Sequence, residues 1–231
     1  MLAAVVRLIG DGFFRVGSER YLKENRTFGI STLHKSHVRV DGPCLIFEYR
    51  GKRGIEHRQV VVDAELAAFV ARLLEAPGRR LFKYRDEEGW HDLDARDVNH
   101  YLRKNLAVRY TAKDFRTWGG TLRLATVLAE LGPATSEREA KRNVVMAVRM
   151  VAAELGNTPA VCRKSYVHPI VIARYLDAGD TIARGLARVA PQYGVARHHP
   201  EERALLRFLD RHFPERRRKP RPKPVEAAAA A

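Results

Sequence analysis

Six side chains in this sequence sit where they could do chemistry together. Tyr166 follows Arg163 and Lys164 in the stretch ELGNTPAVCRKSYVHP (154–169), just after a Gly156-Asn157-Thr158-Pro159 turn. A phenol ordinarily titrates near ~10, so it is a weak nucleophile at neutral pH unless its oxyanion is stabilised or its proton accepted. Arg15 lies between Phe14 and Val16, an odd place for a guanidinium that needs only solvent. Lys113 and Arg116 fall in the first turn of a capped helix, where backbone amides and the helix dipole favour an anion. Lys52 sits near a hairpin tip, and Asn157 adds a neutral amide donor. Two arginines, two lysines, an amide and one tyrosine suit transfer of a phosphodiester to a protein hydroxyl. That chemistry needs donors around the equatorial oxygens, an in-line nucleophile and an acid for the leaving oxygen. Each residue taken singly also has an ordinary reading, as a half-buried tyrosine, a snorkelling arginine or a solvated lysine. Spacing alone does not bring the six together.

The elements that must position them can be read from periodicity. Residues 2–9 form the first turns of a core helix, and Gly10-Asp11-Gly12 reads as a bend before Phe13-Phe14. From Thr27 to Val62 the pattern is strand-like, with ISTL, HVRV, CLIFEYR and EHRQVVV as short β-branched or aromatic runs. Gly51-Lys52-Arg53-Gly54 joins the last two as a hairpin. Helical periodicity follows. Asp63 caps a helix with Leu66, Phe69, Val70, Leu73 and Leu74 on one face, ended by Pro77-Gly78. Asp94 caps another bearing Val98, Leu102 and Leu106. Thr111 to Asp114 resembles a capping box opening a helix with Phe115, Trp118, Leu122 and Ala125, stopped at Gly132-Pro133. Ser136 to Glu139 opens a further helix with Val144, Val148, Val151 and Leu155 on one face, which delivers the chain to the Asn157 turn. Pro169 and Pro200 suit the first position of later helices. The expected fold is α+β and mostly α-helical, with a small N-terminal antiparallel sheet of hairpins packed on a helical core. The strand-rich part covers about 27–62 and the helical part about 63–213, within one domain over 1–214. Residues 215–231 read as a disordered basic and alanine-rich tail.

Charge narrows the partner. The 231 residues carry 42 Lys and Arg against 27 Asp and Glu, a formal +15. Removing the net +5 of the tail segment ERRRKPRPK (215–223) leaves +10, so the folded part is basic as well. Such an excess favours a polyanion, nucleic acid first, because each neutralised phosphate releases condensed counterions. No apolar run reaches the ~18 residues of a membrane span, and no membrane partner is expected. Cys44 and Cys162 have neither metal-ligand nor disulfide spacing and read as packing residues, which makes a reducing cytoplasm the default. The pair His198-His199 reads as a solvated loop feature.

Four segments give the chain a specific resemblance. FFRVGSERYLKENRTFGISTL (13–33), FEYRGKRGIEH (47–57), AKDFRTWGGT (112–121) and LGNTPAVCRKSYVHP (155–169) occur in the order found in the catalytic domain of type IB DNA topoisomerases. The small bacterial and poxvirus-like branch is the most similar, and the resemblance covers about the first 175 residues. It implies two catalytic arginines at Arg15 and Arg116, a hairpin lysine at Lys52, a lysine three before the second arginine at Lys113, and the nucleophile at Tyr166. Many family members have histidine where this chain has Asn157. Both side chains donate to a phosphate oxygen, but asparagine carries no proton-linked charge. Family enzymes usually have a separate N-terminal clamp domain, whereas here only fourteen residues precede Arg15. The clamp is therefore expected to be absent from this chain, and binding to be weaker and more salt-sensitive.

The resemblance implies relaxation of supercoiled DNA by a monomer in the bacterial nucleoid. Tyr166 would form a 3′-phosphotyrosyl bond while Arg15, Arg116 and Asn157 hold the non-bridging oxygens. Lys52, helped by Lys113, would protonate the leaving 5′-oxygen. Neither ATP, metal nor any other cofactor is implied. Lys35, Arg53, Arg142 and Lys164 would be sequence-independent contacts to the backbone of double-stranded DNA. The nearest rival is a tyrosine recombinase, which usually has histidine two residues before the second arginine, in a motif where this chain has Lys113 and Asp114. A rival of another class is a DNA-binding protein that keeps the fold without catalysis.

Overall fold

A computed structural model of the chain describes residues 1–106, 110–186 and 199–213. Helix α1 (Leu2–Gly12) buries Val5, Leu8 and Ile9. The helix runs on through Gly10 to Gly12, so the expected bend comes later, at Phe13, whose φ of 55° reverses the chain. After an extended stretch and helix α2 (Glu19–Asn25), the ISTL segment also departs from expectation. It forms a 3-10 turn over Ile30–Thr32 because Thr32 Oγ1 accepts from Gly29 N at 3.0 Å, a local bond that competes with strand pairing. The other three runs are strands: β1 (Val38–Asp41), β2 (Cys44–Arg50) and β3 (Glu56–Val62), in the antiparallel order β1-β2-β3. Leu45, Phe47 and Tyr49 of β2 and His57 and Val61 of β3 point inward, as a period of two requires.

Asp63 caps α3 (Ala64–Glu75) through Glu65 N and Leu66 N, both at 3.0 Å. A second hairpin, β4 (Lys83–Asp86) with β5 (Gly89–Asp92), lies inside the part expected to be helical. Its strands are four residues long and polar on both faces, so they carry little periodic signal. The turn is held by Asp86, whose carboxylate accepts from Glu88 N and Gly89 N. The helices α4 (Ala95–Asn105), α5 (Ala112–Leu131), α6 (Glu137–Glu154), α7 (Pro159–Ser165), α8 (Pro169–Ala178), α9 (Ala183–Leu186) and α10 (Pro200–His212) complete the described chain. Pro159, Pro169 and Pro200 each open a helix, and Ser136 Oγ caps α6 by accepting from Glu139 N at 3.2 Å.

Two apolar cores result. One joins α1, the three-stranded sheet, α3 and α4 around Phe14, Phe47 and Phe82, and the other joins α5, α6, α7, α8 and α10 around Leu124, Val148 and Tyr175. Helix α5 belongs to both, with Ala112 and Phe115 in the first and Leu124 to Leu128 in the second. Its deepest face is Arg116, Gly119, Gly120, Leu124 and Leu128. Phe115, Trp118 and Leu122 pack against the edges of these cores as expected, but are only half-buried and also line an open cleft against α1. The expected tail over 215–231 and His198 lie outside the described residues. Among the described residues, no single helix is long and apolar enough to cross a membrane.

Candidate active site

Helix α5 holds the site together through two adjacent glycines. A Cβ on Gly119 would stand 2.9 Å from Cδ1 of Phe13, the residue that starts the Arg15 segment. A Cβ on Gly120 would stand 2.7 Å from the carbonyl oxygen of Tyr166. Neither position tolerates a side chain without displacement, so the helix surface is cut away where both segments cross it. One residue on, Thr121 Oγ1 accepts from His168 N at 3.0 Å and pins the end of the Tyr166 segment to α5. Arg116 lies one turn before Gly120, on the same face as the tyrosine it underlies.

Arg15 is fixed from both sides. Phe14 is fully buried against Phe47 and Tyr49, with ring centroids at 4.8 and 5.9 Å. The carbonyl of Arg15 accepts from Ile30 N at 2.7 Å, and that of Val16 from Ser31 N at 2.8 Å. The guanidinium then crosses to the end of α6, where Nη2 donates to Gly156 O at 2.9 Å and to Asn157 Oδ1 at 2.7 Å. Arginine offers only donors, so the amide must turn its oxygen to Arg15. This leaves Asn157 Nδ2 buried and without a partner. Arg116 is almost fully buried; its Nη2 donates to Leu155 O at 2.8 Å, and its Nε has no partner. Its Cζ lies 5.4 Å from the centre of the Tyr166 ring. Burial and the nearby Arg15 charge lower the Arg116 pKa to about 10, against the pull of the Tyr166 phenol, so it remains charged at neutral pH. Burial also lowers that of Arg15. Neither arginine has an acidic partner among the described residues.

Tyr166 closes α7, with its amide donating to Cys162 O at 2.9 Å. Cys162 is fully buried beneath it, and burial pushes its thiol up to about 11, which keeps it a neutral packing group. Arg15, Lys52, Arg53, Asn157 and Tyr166 line one cavity of about 130 Å³ with Ile55, Gly156, Thr158 and Val161. Among the described residues, no acidic side chain lines it. Lys52 is exposed on the turn between β2 and β3, its Nζ 6.0 Å from the Tyr21 ring centre. Arg53 adopts a φ of 66° at the same tip.

Other expected positions fall elsewhere. Lys113 is exposed on the first turn of α5 and is not among the cavity's lining residues; its carbonyl accepts from Thr117 Oγ1. Lys35 donates to the carbonyls of Leu74 (2.8 Å) and Ala76, closing the C-terminal end of α3. Arg142 lies on α6 thirteen residues before Leu155, about 20 Å along the helix, beside Glu139 at 3.9 Å. Lys164 is exposed in the last turn of α7, beside the tyrosine. Sequence reasoning gave no role to Gly119, Gly120 and Thr121, or to His57, which packs against the cavity wall. The WGGT run was the available signal, since paired glycines inside a helix weaken it unless something crosses closely.

A family model described as "Eukaryotic DNA topoisomerase I, catalytic core" matches residues 1–191. A protein named DNA topoisomerase 1B from Acanthamoeba polyphaga mimivirus is 30% identical over 183 residues, covering 76% of this chain and 54% of its own length. DNA topoisomerase 1B of Vaccinia virus (strain Copenhagen) is 26% identical over 184 residues, covering 75% and 54%. DNA topoisomerase I of Monkeypox virus matches with the same identity and coverage. The chain thus spans about half the length of the curated relatives it matches. With the match running unbroken from α1 through the tyrosine and beyond, the chain belongs to the family of the DNA topoisomerase I catalytic core.

Proposed function

We propose that this chain is the strand-cleaving part of a type IB DNA topoisomerase. The observation that supports it most is the pair of partly or fully buried guanidiniums, without a carboxylate partner among the described residues, held at the end of α6 close to one tyrosine. Such a site favours a group bearing one or two negative charges on small oxygens, which a backbone phosphate supplies.

In this reading the Tyr166 oxygen attacks phosphorus in line with the 5′-oxygen. The Oη–P bond forms as the P–O5′ bond breaks, and the phenolic proton leaves to solvent. Arg15, Arg116 and the free Nδ2 of Asn157 meet the charge that builds on the non-bridging oxygens. Lys52, on its exposed turn, donates the proton that O5′ needs. Lys113 would have to swing in from the first turn of α5 to assist, and its share is the smaller. The cleaved end rotates about the intact strand, and O5′ then attacks the phosphotyrosine in reverse. One phosphodiester replaces another at each step, so the cycle is close to thermoneutral and calls for no nucleotide hydrolysis. The two arginines supply the positive charge that a divalent metal supplies in other phosphoryl-transfer sites.

The reading extends to the surface and the setting. Arg53 at the cavity mouth and Lys164 beside Tyr166 are the nearest candidates for phosphate contacts, with Arg142 further out along α6 and Lys35 partly engaged at the end of α3. Double-stranded DNA is the substrate and the unit acts as a monomer. The bacterial nucleoid as its location rests on the resemblance of the motifs to the small bacterial branch; the relatives named above are viral.

Relaxation of a negatively supercoiled plasmid of arbitrary sequence, in EDTA and without ATP, tests the proposal, with an SDS trap alongside. Wild type should relax the plasmid and leave a covalent adduct on a 3′-phosphate. Tyr166→Phe should abolish both while keeping duplex binding. An adduct that survives this substitution refutes the assignment, and strand exchange restricted to one cognate site would favour a recombinase.

A further inference from the structure

We infer that His57 is a positioning residue that sets the height of the Lys52 turn above the Arg15–Asn157 cradle; this rests on the function proposed above. His57 lies opposite Tyr49 in the β2–β3 register and stacks on its ring, at 5.2 Å between centroids and 12° between planes. The imidazole is buried and its Nε2 has no hydrogen-bond partner. An isolated polar nitrogen is costly inside a protein. Its place therefore calls for a reason other than hydrogen bonding.

The reason lies in what touches the ring. A Cβ built on Gly51 would stand 2.6 Å from His57 Nε2, and one built on Gly156 would stand 2.7 Å from the same atom. Gly51 is the residue before Lys52, and Gly156 is the residue before Asn157 and the acceptor for Arg15. The ring thus fills the gap between two backbones that approach it without side chains. One backbone carries the proposed acid; the other carries Asn157 and the carbonyls that hold Arg15 and Arg116. No hydrogen bond or ion pair joins Gly51 directly to Gly156 among the described residues; Arg15 ties the end of α6 to its own segment, and on the Lys52 side it is the imidazole that stands between the two backbones.

The ring also stays neutral. Burial, with the charges of Arg15 and Arg116 close by, lowers its pKa to about 4. It adds no third cation to the cradle and takes no part in proton transfer at neutral pH. Its contribution is its thickness.

A leaving-group substitution separates this role from a merely structural one. A thiolate leaves without a proton, so a duplex with sulfur in place of the bridging 5′-oxygen at a mapped cleavage site makes the acid dispensable. With the full chain, His57→Ala should slow adduct formation on the ordinary duplex about 10- to 100-fold, as small displacements of catalytic groups do. On the sulfur-bridged duplex it should return to within about 3-fold of wild type, as Lys52→Ala should in parallel. A defect that stays equally large with sulfur, while Lys52→Ala is rescued, overturns the inference. Gly51→Ala checks the geometry without removing the ring. Its φ of −93° suits alanine, yet its methyl would drive against the imidazole. It should show the same sulfur-suppressed defect, and combining it with His57→Ala should be no worse than His57→Ala alone. Additive losses overturn the inference, and this arm decides if His57→Ala fails to fold. If wild type forms no adduct on either duplex, the functional reading itself fails.

Discussion

Gly120→Ala isolates the part that α5 plays in placing the nucleophile. The added methyl would stand 2.7 Å from the Tyr166 carbonyl oxygen and 3.2 Å from Leu155 Cδ1. Carbon and oxygen rest comfortably at about 3.3–3.6 Å, so the Tyr166 segment must retreat by roughly 0.6–0.9 Å. The obstructing atom is backbone, pinned two residues on by the His168 N–Thr121 Oγ1 bond, and cannot rotate away. Overpacking of this kind costs about 1–3 kcal/mol of stability. A misplacement near 1 Å costs about 10²-fold in rate, so roughly 10- to 50-fold is expected here. The assay is single-turnover adduct formation on a duplex with one cleavage site, with duplex affinity and thermal unfolding measured on the same preparation. Gly10→Ala is the matched control. Its methyl would meet only Phe115 Cδ1, at 4.0 Å, so it should gain about 0.5–1 kcal/mol from helix propensity at unchanged cleavage. A Gly120→Ala protein that cleaves within about 2-fold of wild type would refute the claim that this crossing positions Tyr166.

Three further outcomes follow from the charges around the cavity. Arg116→Met should reduce adduct formation by about 10²–10³, as loss of an oxyanion donor does. It should leave stability within about 1 kcal/mol of wild type in urea titration, because removing a desolvated, unpaired cation offsets the lost bond to Leu155 O. Asn157→His should give the cleavage rate a titration between pH 5 and 8 that wild type lacks; coincident pH profiles would remove the charge argument for this position. His57 is depressed to about 4, so the unfolded chain binds its proton first as pH falls. The stability it contributes is fully present above about pH 6.5 and is lost as pH falls toward 4. Between pH 7 and pH 5 wild type should lose about 2 kcal/mol more than His57→Asn in urea unfolding, and equal losses would contradict the burial of a neutral ring.

Much of this architecture was legible where local chemistry and periodicity agree. Asp63, Asp94 and Ser136 announced their helices because a short acceptor precedes an apolar period, and β2 and β3 were legible because one face is buried. The β4–β5 hairpin is mostly exposed on both faces, has no such asymmetry and leaves no periodic signal. Thr32 turned an apparent strand into a 3-10 turn through a bond that no periodicity encodes. At the site, residue types and order pointed to Arg15, Lys52, Asn157 and Tyr166, but their convergence spans more than 140 residues in the Arg15–Asn157 bond and only the fold shows it. The close approaches at Gly51, Gly119 and Gly156, where rings meet the backbone, and at Gly120, where the Tyr166 carbonyl does, are legible only afterwards, since a glycine says that something comes close and not what. Lys35 shows the converse. A lysine read as a surface cation is drawn to carbonyls at a helix end, because α3 leaves those acceptors unsatisfied.

The two arginines are held in a way that suits the proposed anion site. Their partners, Leu155 O, Gly156 O and Asn157 Oδ1, are neutral acceptors at the C-terminal end of α6. That end carries the negative pole of the helix dipole, equivalent to about half a charge. It orients two full positive charges without cancelling them. A carboxylate here would hold the guanidiniums more tightly but would compete with the phosphate of the proposed substrate. Glu154, the residue before Leu155 in the sequence, is engaged instead by Arg123, which it meets at 2.9 Å. The same helix end then presents Asn157, whose oxygen is taken by Arg15 so that only its donor remains free. The termination of α6 at Gly156, with a φ of 59°, thus determines where both guanidiniums and the amide point. Two guanidiniums and an amide donor are thus held by neutral acceptors beside a tyrosine whose backbone α5 holds in place.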